Sequence, residues 1–376
     1  MNNETVKGFN DYTGENASKR AEIKKILVDI FERYGFEPAE TPVIEYEKFV
    51  KGENSNDEVV SDIFNLKDKG TRNLALRYEF TFQLKRLIKN KKIPYKRYQI
   101  GEVFRDEPIS ANRFRQFVQC DADIIGSNVK DEAEILALAK EVLNQLGIRF
   151  LIYVNNRRLL NEILEEYGIK TKEQVIKEID KLDKLPEAQI KNNLKKYKAE
   201  KVLEIFKKPE SYFSKYKAYK EIEELKKYCK EYDVEVNFNS SLARGLAYYT
   251  GSVFEIKTKE IKETICAGGS YSINNIDSTG ISFGLDRIAN LSKIKTLKEK
   301  MLVISLNQDK EAIKLAQKLR KQGKIIQIFY GKPSKALDYA NSYNISKVIF
   351  VGAEEIKKRK YKIKDMITGK ERFEEF

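Results

Sequence analysis

The chain of 376 residues contains no histidine and no tryptophan, and only three cysteines. Without an imidazole, no Ser-His-Asp or Cys-His relay can operate and no histidine-bearing metal site can form. Cys120, Cys229 and Cys266 show no C-x-x-C spacing, which argues against a zinc cluster or a disulfide framework and fits a reducing compartment. No apolar run approaches the ~20 residues that span a bilayer. The N-terminal MNNETVKGFNDYTGEN has neither the apolar core of a signal peptide nor the Arg- and Ser-rich character of a transit peptide. The expectation is a cytoplasmic protein with no membrane partner.

Charge, by contrast, is plentiful. Against 57 Asp+Glu stand 71 Lys+Arg, a net charge of +14. Such an excess favours a polyanionic partner through counterion release, and fits a lysine-rich background equally well. With 41% hydrophobic residues the chain has enough apolar surface for two or three domains with true cores.

The densest chemistry lies between Tyr98 and Gly126, YQIGEVFRDEPISANRFRQFVQCDADIIG, which reads as strand, loop and strand. Arg105, Arg113 and Arg115 offer planar forks for phosphate oxygens, and Phe117 offers a face on which a base can stack. Because side chains alternate along a strand, Gln119, Asp121 and Asp123 share one polar face, which asks for a polar ligand. The residues alone suggest a nucleotide held against a small molecule bearing an amine.

FRDE followed by RFRQF resembles motif two of the class II aminoacyl-tRNA synthetases. LARGLAYYTGSVFE, 242–255, is similar to the histidine-recognition segment of histidyl-tRNA synthetases, and CAGGSYS, 266–272, to their second such segment. GISFGLDRIANL, 280–291, resembles motif three, with Arg287 as its arginine, and the segments fall in the family's order from about Lys7 onward. The resemblance implies a class II catalytic domain of α+β type, an antiparallel sheet flanked by helices, in residues 1–160 plus 233–291. It also implies a helical insertion in 161–232, a linker in 292–300 and a C-terminal α/β anticodon-binding domain in 301–376.

The resemblance also implies roles. Arg105 would hold the α-phosphate and the substrate carboxylate, Arg113 and Arg287 the γ-phosphate, Glu107 the adenine end, and Phe117 would stack on the ring. Arg244 would be the catalytic arginine, standing where other class II enzymes place a metal. Asp123, Tyr248, Tyr249 and Tyr271 would choose the amino acid, with Glu79, Thr81 and Gln119 around its amino group. Arg115, Lys332, Lys335 and the 357–360 basic run would meet tRNA. ATP and L-histidine are the implied small substrates, with Mg2+ accompanying ATP and no protein metal site. Pro42 resembles the motif-one proline at the family's dimer interface, so a homodimer is implied; a proline also marks an edge strand with no partner. Activation of this kind needs no imidazole, because the attacking carboxylate is already a nucleophile.

Local patterns carry the rest. Ile23, Ile26, Leu27, Ile30 and Phe31 predict a helix behind Ser18 that stops at Gly35. A second helix, 131–146, is assigned to core packing only. The stretch 74–86 alternates and then turns helical, and Pro186 and Pro209 divide 161–232 into helical pieces, either a lid over tRNA or a plain bundle. MLVIS, IIQIFY and KVIFVG alternate with two helices, which predicts a small parallel sheet closed by a hairpin over 363–373.

Three positions depart from the family. Where it reads R-G-L-D-Y-Y and G-G-R-Y-D, this chain has Ala247, Ser270 and Ser272. Their joint loss suggests that acid and base formed one buried network, whose complete removal can be nearly neutral. The alternative is a catalytically silent paralogue, either a regulatory subunit of histidine biosynthesis or a tRNA sensor. The missing histidine has its own two readings: a synthetase for histidine that contains none stays translatable when histidine is scarce, or the composition has drifted, as the missing tryptophan suggests.

Overall fold

The computed structural model describes residues 3–51, 61–183, 185–244, 248–295 and 299–375. It contains two compact units, Met1–Lys295 and Thr296–Phe376.

In the first unit, α1 (Gly14–Arg33) buries Ile23, Ile26, Leu27, Ile30 and Phe31 and ends at Gly35, whose φ of +79° favours glycine. It begins ahead of Ser18, whose hydroxyl donates to the Gly14 carbonyl at 2.9 Å instead of capping. After β1 (Glu37–Pro38), the strands β2 (Ile44–Tyr46), β3 (Asn65–Lys67) and β4 (Asn73–Leu76) form a small antiparallel sheet in the order β2-β4-β3, with α2 (Glu47–Lys51) between β2 and β3. Next come α3 (Thr81–Leu87) and a long hairpin of β5 (Tyr95–Phe104) and β6 (Gln116–Ile125). Helix α4 (Val129–Gln145) opens on a reciprocal cap, the Asn128 side chain accepting from the helix backbone while Asp131 returns a bond to the Asn128 amide.

Strand β7 (Leu151–Asn156) leads into α5 (Arg157–Glu166), α6 (Lys172–Ile179), α7 (Glu187–Lys195), α8 (Val202–Ile205) and α9 (Tyr219–Glu231). Pro186 and Pro209 stand at the N-caps of α7 and of a short 3-10 turn, so both prolines start helical segments, where their missing N–H is harmless. The chain returns through β8 (Asn237–Phe238), β9 (Tyr249–Lys257), β10 (Cys266–Ile273), β11 (Ile276–Gly284) and α10 (Leu285–Leu291).

The large sheet has eight strands in the order β1-β5-β6-β11-β10-β9-β7-β8. Its centre is antiparallel, and the two outermost pairs, β1 with β5 and β7 with β8, are parallel. One face is apolar: Val118, Cys120, Ala122 and Ile124 of β6 pack with α1, α4 and α10 in one core, which continues into the inserted helices through Leu160, Phe213 and Ile222. Alternation then turns Phe117, Gln119, Asp121 and Asp123 to the opposite face. The helices between β7 and β8 therefore share the first unit's core.

Beyond α10, Ser292 is buried and Lys293 N–H donates to the Leu146 carbonyl at 3.0 Å, so the start of the expected 292–300 linker is fastened to the first unit; 296–298 lie outside the described residues. The second unit runs β12 (Lys300–Ser305), α11 (Asp309–Lys321), β13 (Ile325–Tyr330), α12 (Pro333–Ser342), β14 (Lys347–Val351), α13 (Ala353–Lys358), β15 (Tyr361–Asp365) and β16 (Glu371–Glu374). Its sheet order is β13-β12-β14-β15-β16, parallel in the first three strands and closed by an antiparallel hairpin. Helix α13, too short to show a period, was not foreseen. Among the described residues no helix is long and apolar enough to cross a membrane.

Candidate active site

The pocket floor is a set of cross-strand pairs on the polar face of β5 and β6: Arg97 opposite Asp123, Gln99 opposite Asp121, Gly101 opposite Gln119 and Val103 opposite Phe117. Asp123 is buried between the Arg97 guanidinium, 2.9 Å from its Oδ2, and the Tyr271 hydroxyl of β10, which donates to its Oδ1. Gln119 Nε2 donates to Asp121 Oδ2 at 2.8 Å. Burial raises the pKa of Asp123 against the pull of Arg97, and burial together with Asp123 raises that of Asp121. Arg97 opposes the rise at both acids, and its Nη2 stands directly against Asp123.

Across the pocket, Tyr248 donates to Glu79 Oε2 at 3.2 Å, and its ring lies 4.8 Å from Tyr249 and 5.8 Å from Tyr271. Burial and neighbouring acids hold the Tyr248 and Tyr271 phenols well above their ordinary range, so both remain donors. Thr81 is buried beside Tyr248 at the first turn of α3. Glycines make the space. A Cβ on Gly269 would meet the Tyr249 ring at 2.9 Å, and one on Gly280 would stand 2.0 Å from Asp123 Oδ1.

Burial, then repulsion from Asp121, pushes the Glu79 pKa up from 4.5 to about 7. The folded chain therefore holds a proton that the unfolded chain has released between these values, and stability falls as pH rises through that window. Glu79→Gln removes this dependence. Denaturant unfolding of the ligand-free chain should find the variant level with wild type near pH 4 and more stable by about 3 kcal/mol at pH 8. A difference that does not change with pH would contradict the assignment.

Next to the pocket four guanidinium groups converge. Burial lowers the pKa of Arg287, and repulsion from Arg105, Arg113 and Arg244 lowers it further against the attraction of Glu263. Arg105 lies between two rings, 4.3 Å from the Tyr78 centroid and 5.1 Å from that of Phe117, and reaches Gln119 Oε1 at 3.5 Å. Arg244 Nη1 donates to Glu255 Oε1 at 2.5 Å, and its Nε is buried without a protein partner. Arg113 is exposed and pairs with Glu107. Such a concentration of cations, in excess of its acids, suits a polyanion. Among the described residues no group of three or more Cys, Asp or Glu is placed to hold a metal ion.

Arg115 does not join this cluster; it pairs with Asp106 at 3.1 Å and donates to the Glu107 carbonyl at 3.4 Å. Lys332 and Lys335 are exposed at the start of α12 in the second unit, and Lys357–Lys360 span the end of α13. Of the three departures from the family, Ala247 lies outside the described residues and Ser272 is exposed. Ser270 donates to the buried Glu132 of α4, so an acid remains beneath the strand after all. Sequence reasoning missed Glu132, Arg97, Glu255 and Asp286, the last of which accepts from Tyr12, Arg20 and the Val118 amide. A signal for Glu132 existed, since it falls on the same helical face as Ile135 and Ala139, where a charge is out of place.

An antiparallel sheet whose polar face joins an arginine cluster to a buried carboxylate-and-phenol pocket defines an aminoacyl-tRNA synthetase catalytic domain of the second class. Residues 8–288 match the family model for histidyl-tRNA synthetase, and residues 300–375 the model for an anticodon-binding domain. Histidine--tRNA ligase 1 of Bacillus cereus is 35% identical, covering 99% of this chain and 97% of its own length. The crystal structure of histidyl-tRNA synthetase from Nostoc sp. PCC 7120 superposes with a TM-score of 0.86 at 23% identity, covering 100% of this chain and 97% of that one. An ATP phosphoribosyltransferase regulatory subunit/histidyl-tRNA synthetase from Bacillus halodurans gives 0.81 at 20% identity, covering 93% and 98%. The chain belongs to the histidyl-tRNA synthetase family.

Proposed function

We propose that the chain activates L-histidine with ATP and transfers it to tRNA(His), releasing pyrophosphate and then AMP. The observation that carries this reading is the adjacency of the Asp123–Tyr271 and Glu79–Tyr248 pocket to four converging arginines. In the first step a histidine carboxylate oxygen attacks the α-phosphorus, and the bond to the bridging oxygen breaks as pyrophosphate leaves. In the second, the terminal ribose hydroxyl of tRNA attacks the new mixed anhydride and AMP departs.

Arg105 and Arg244 hold the carboxylate and α-phosphate together, Arg113 and Arg287 hold the γ-phosphate, Glu107 faces the adenine and Phe117 stacks on it. Glu79, Thr81 and Gln119 receive the ammonium, while Asp123, Tyr248, Tyr249 and Tyr271 receive the imidazole. An apolar analogue would strand these buried polar groups, so rejection by roughly 10⁴ needs no editing step. Mg2+ enters with ATP as part of the substrate.

The chain works as a cytoplasmic homodimer in this reading. Support for the dimer is the exposed apolar stretch of Val43, Ile44 and Tyr46 beside Pro42, which a second copy would cover. The regulatory-subunit reading is less favoured, because such a subunit has little use for an anticodon domain or for Arg244. Histidine-dependent exchange of labelled pyrophosphate into ATP tests the proposal: exchange with histidine alone among the amino acids supports it, and no exchange refutes it. Reversing Lys332 and Lys335 to Glu should raise KM for tRNA in charging, lower its salt dependence by about one power per lysine, and leave exchange unchanged. An unchanged KM for tRNA would remove both lysines from the tRNA surface.

A further inference from the structure

Arg97 is wholly buried on β5 and has no role in the chemistry above. Burying a guanidinium is costly unless something compels it to stay. Its Nη2 stands 2.9 Å from Asp123 Oδ2 and donates at 3.2 Å to the carbonyl of Phe80, the residue between Glu79 and Thr81. One side chain thus ties the strand that faces the ring to the segment that faces the ammonium group. Asp121 and Asp123 share this face, and Arg97 is the cation that lowers the pKa of each against burial. Opposite Asp123 on β11, Gly280 makes the room its carboxylate occupies, since a Cβ there would stand 2.0 Å from Oδ1. Asp121 Oδ1 and Glu79 Oε1 are buried without a hydrogen-bond partner, as befits a site built for a polar guest.

We propose that Arg97 is the positioning residue for amino-acid selection: it keeps Asp123 ionised and aimed to accept an imidazole N–H, and it fixes the span between that acceptor and the Glu79–Thr81 segment. The inference rests on the histidine reading and adds to it a residue that touches no substrate. A carboxylate accepts only while ionised. Without Arg97, Asp121 and Asp123 would share a buried face beside Glu79, Tyr248 and Tyr271 with no cation opposite Asp123, and Asp123 would keep a proton to higher pH.

The test is pyrophosphate exchange by the full-length wild type, Arg97→Met and Arg97→Lys from pH 6 to pH 9, with KM measured separately for histidine and ATP. Arg97→Met should raise KM for histidine about 10- to 100-fold, the loss of one charged hydrogen-bonding acceptor, and leave KM for ATP within about twofold. That rise should shrink toward pH 9 as Asp123 ionises unaided. Arg97→Lys, which keeps the charge but not the fork, should recover part of the affinity. Should the Met variant fail to fold, the Lys variant still decides the matter by a smaller increase confined to histidine. An unchanged KM for histidine, or parallel rises for histidine and ATP with no pH dependence, would overturn the inference while leaving wild-type exchange and the functional reading intact. Absence of exchange in the wild type would instead bring down both.

Discussion

Arg244→Ala should form histidyl-adenylate about 10²- to 10³-fold more slowly than wild type while keeping its fold, the usual cost of removing one preorganised donor to developing charge. Negative charge builds on the oxygens around the α-phosphorus as the carboxylate attacks. A guanidinium already in position stabilises that charge without reorganising. The fold should survive because the partner, Glu255, keeps Lys257 at 3.2 Å and is not left as a lone buried charge. Single-turnover adenylate formation measures the rate and a thermal melt the fold. A variant near the wild-type rate would show that Arg244 stands outside the chemistry.

Gly280→Ala should damage the pocket with a single methyl group. Its Cβ would lie 2.0 Å from Asp123 Oδ1 and 3.1 Å from the Ala122 carbonyl, and neither neighbour is the far end of a flexible chain. Asp123 cannot retreat without leaving Arg97, and Arg97 has no surface exposed through which to follow. Overpacking of this kind costs about 3 kcal/mol of folding stability, and the displaced acceptor should raise KM for histidine at least about tenfold. ATP binding, which the proposed mechanism assigns to the arginine cluster, should hold. Denaturant unfolding and the two KM values check this, and a variant with wild-type stability and histidine KM would contradict the placement of Asp123.

Both predictions draw on geometry that the sequence displayed only in part. Periodicity sufficed for α1, α4 and the alternating second unit, because each has a long amphipathic pattern, and the ordered motifs pointed to the class II fold. The shared face of Gln119, Asp121 and Asp123 was legible from alternation alone. Its cross-strand partner was not. Nothing local reveals that Arg97 lies opposite Asp123, since register is fixed by the β5–β6 turn and by burial on the helix side. Gly280 opens the segment that resembles motif three, but its reason is a close approach from another strand. Glu132 sits in a helix whose pattern reads as packing alone, although a hydroxyl of β10 reaches down to it. Ser18 lies inside α1 and not ahead of it, because serine also bonds back to a carbonyl one turn earlier.

The central claim is that the Asp123 pocket holds the imidazole of the one amino acid this chain does not contain. A crystal structure of the protein soaked with histidine and ATP tests it most directly. The account predicts a ring nitrogen within about 3 Å of the Asp123 carboxylate, the ring against Tyr249, and the amino group beside Glu79 and Thr81. Histidine bound elsewhere, or bound with its ring turned away from Asp123, would contradict it.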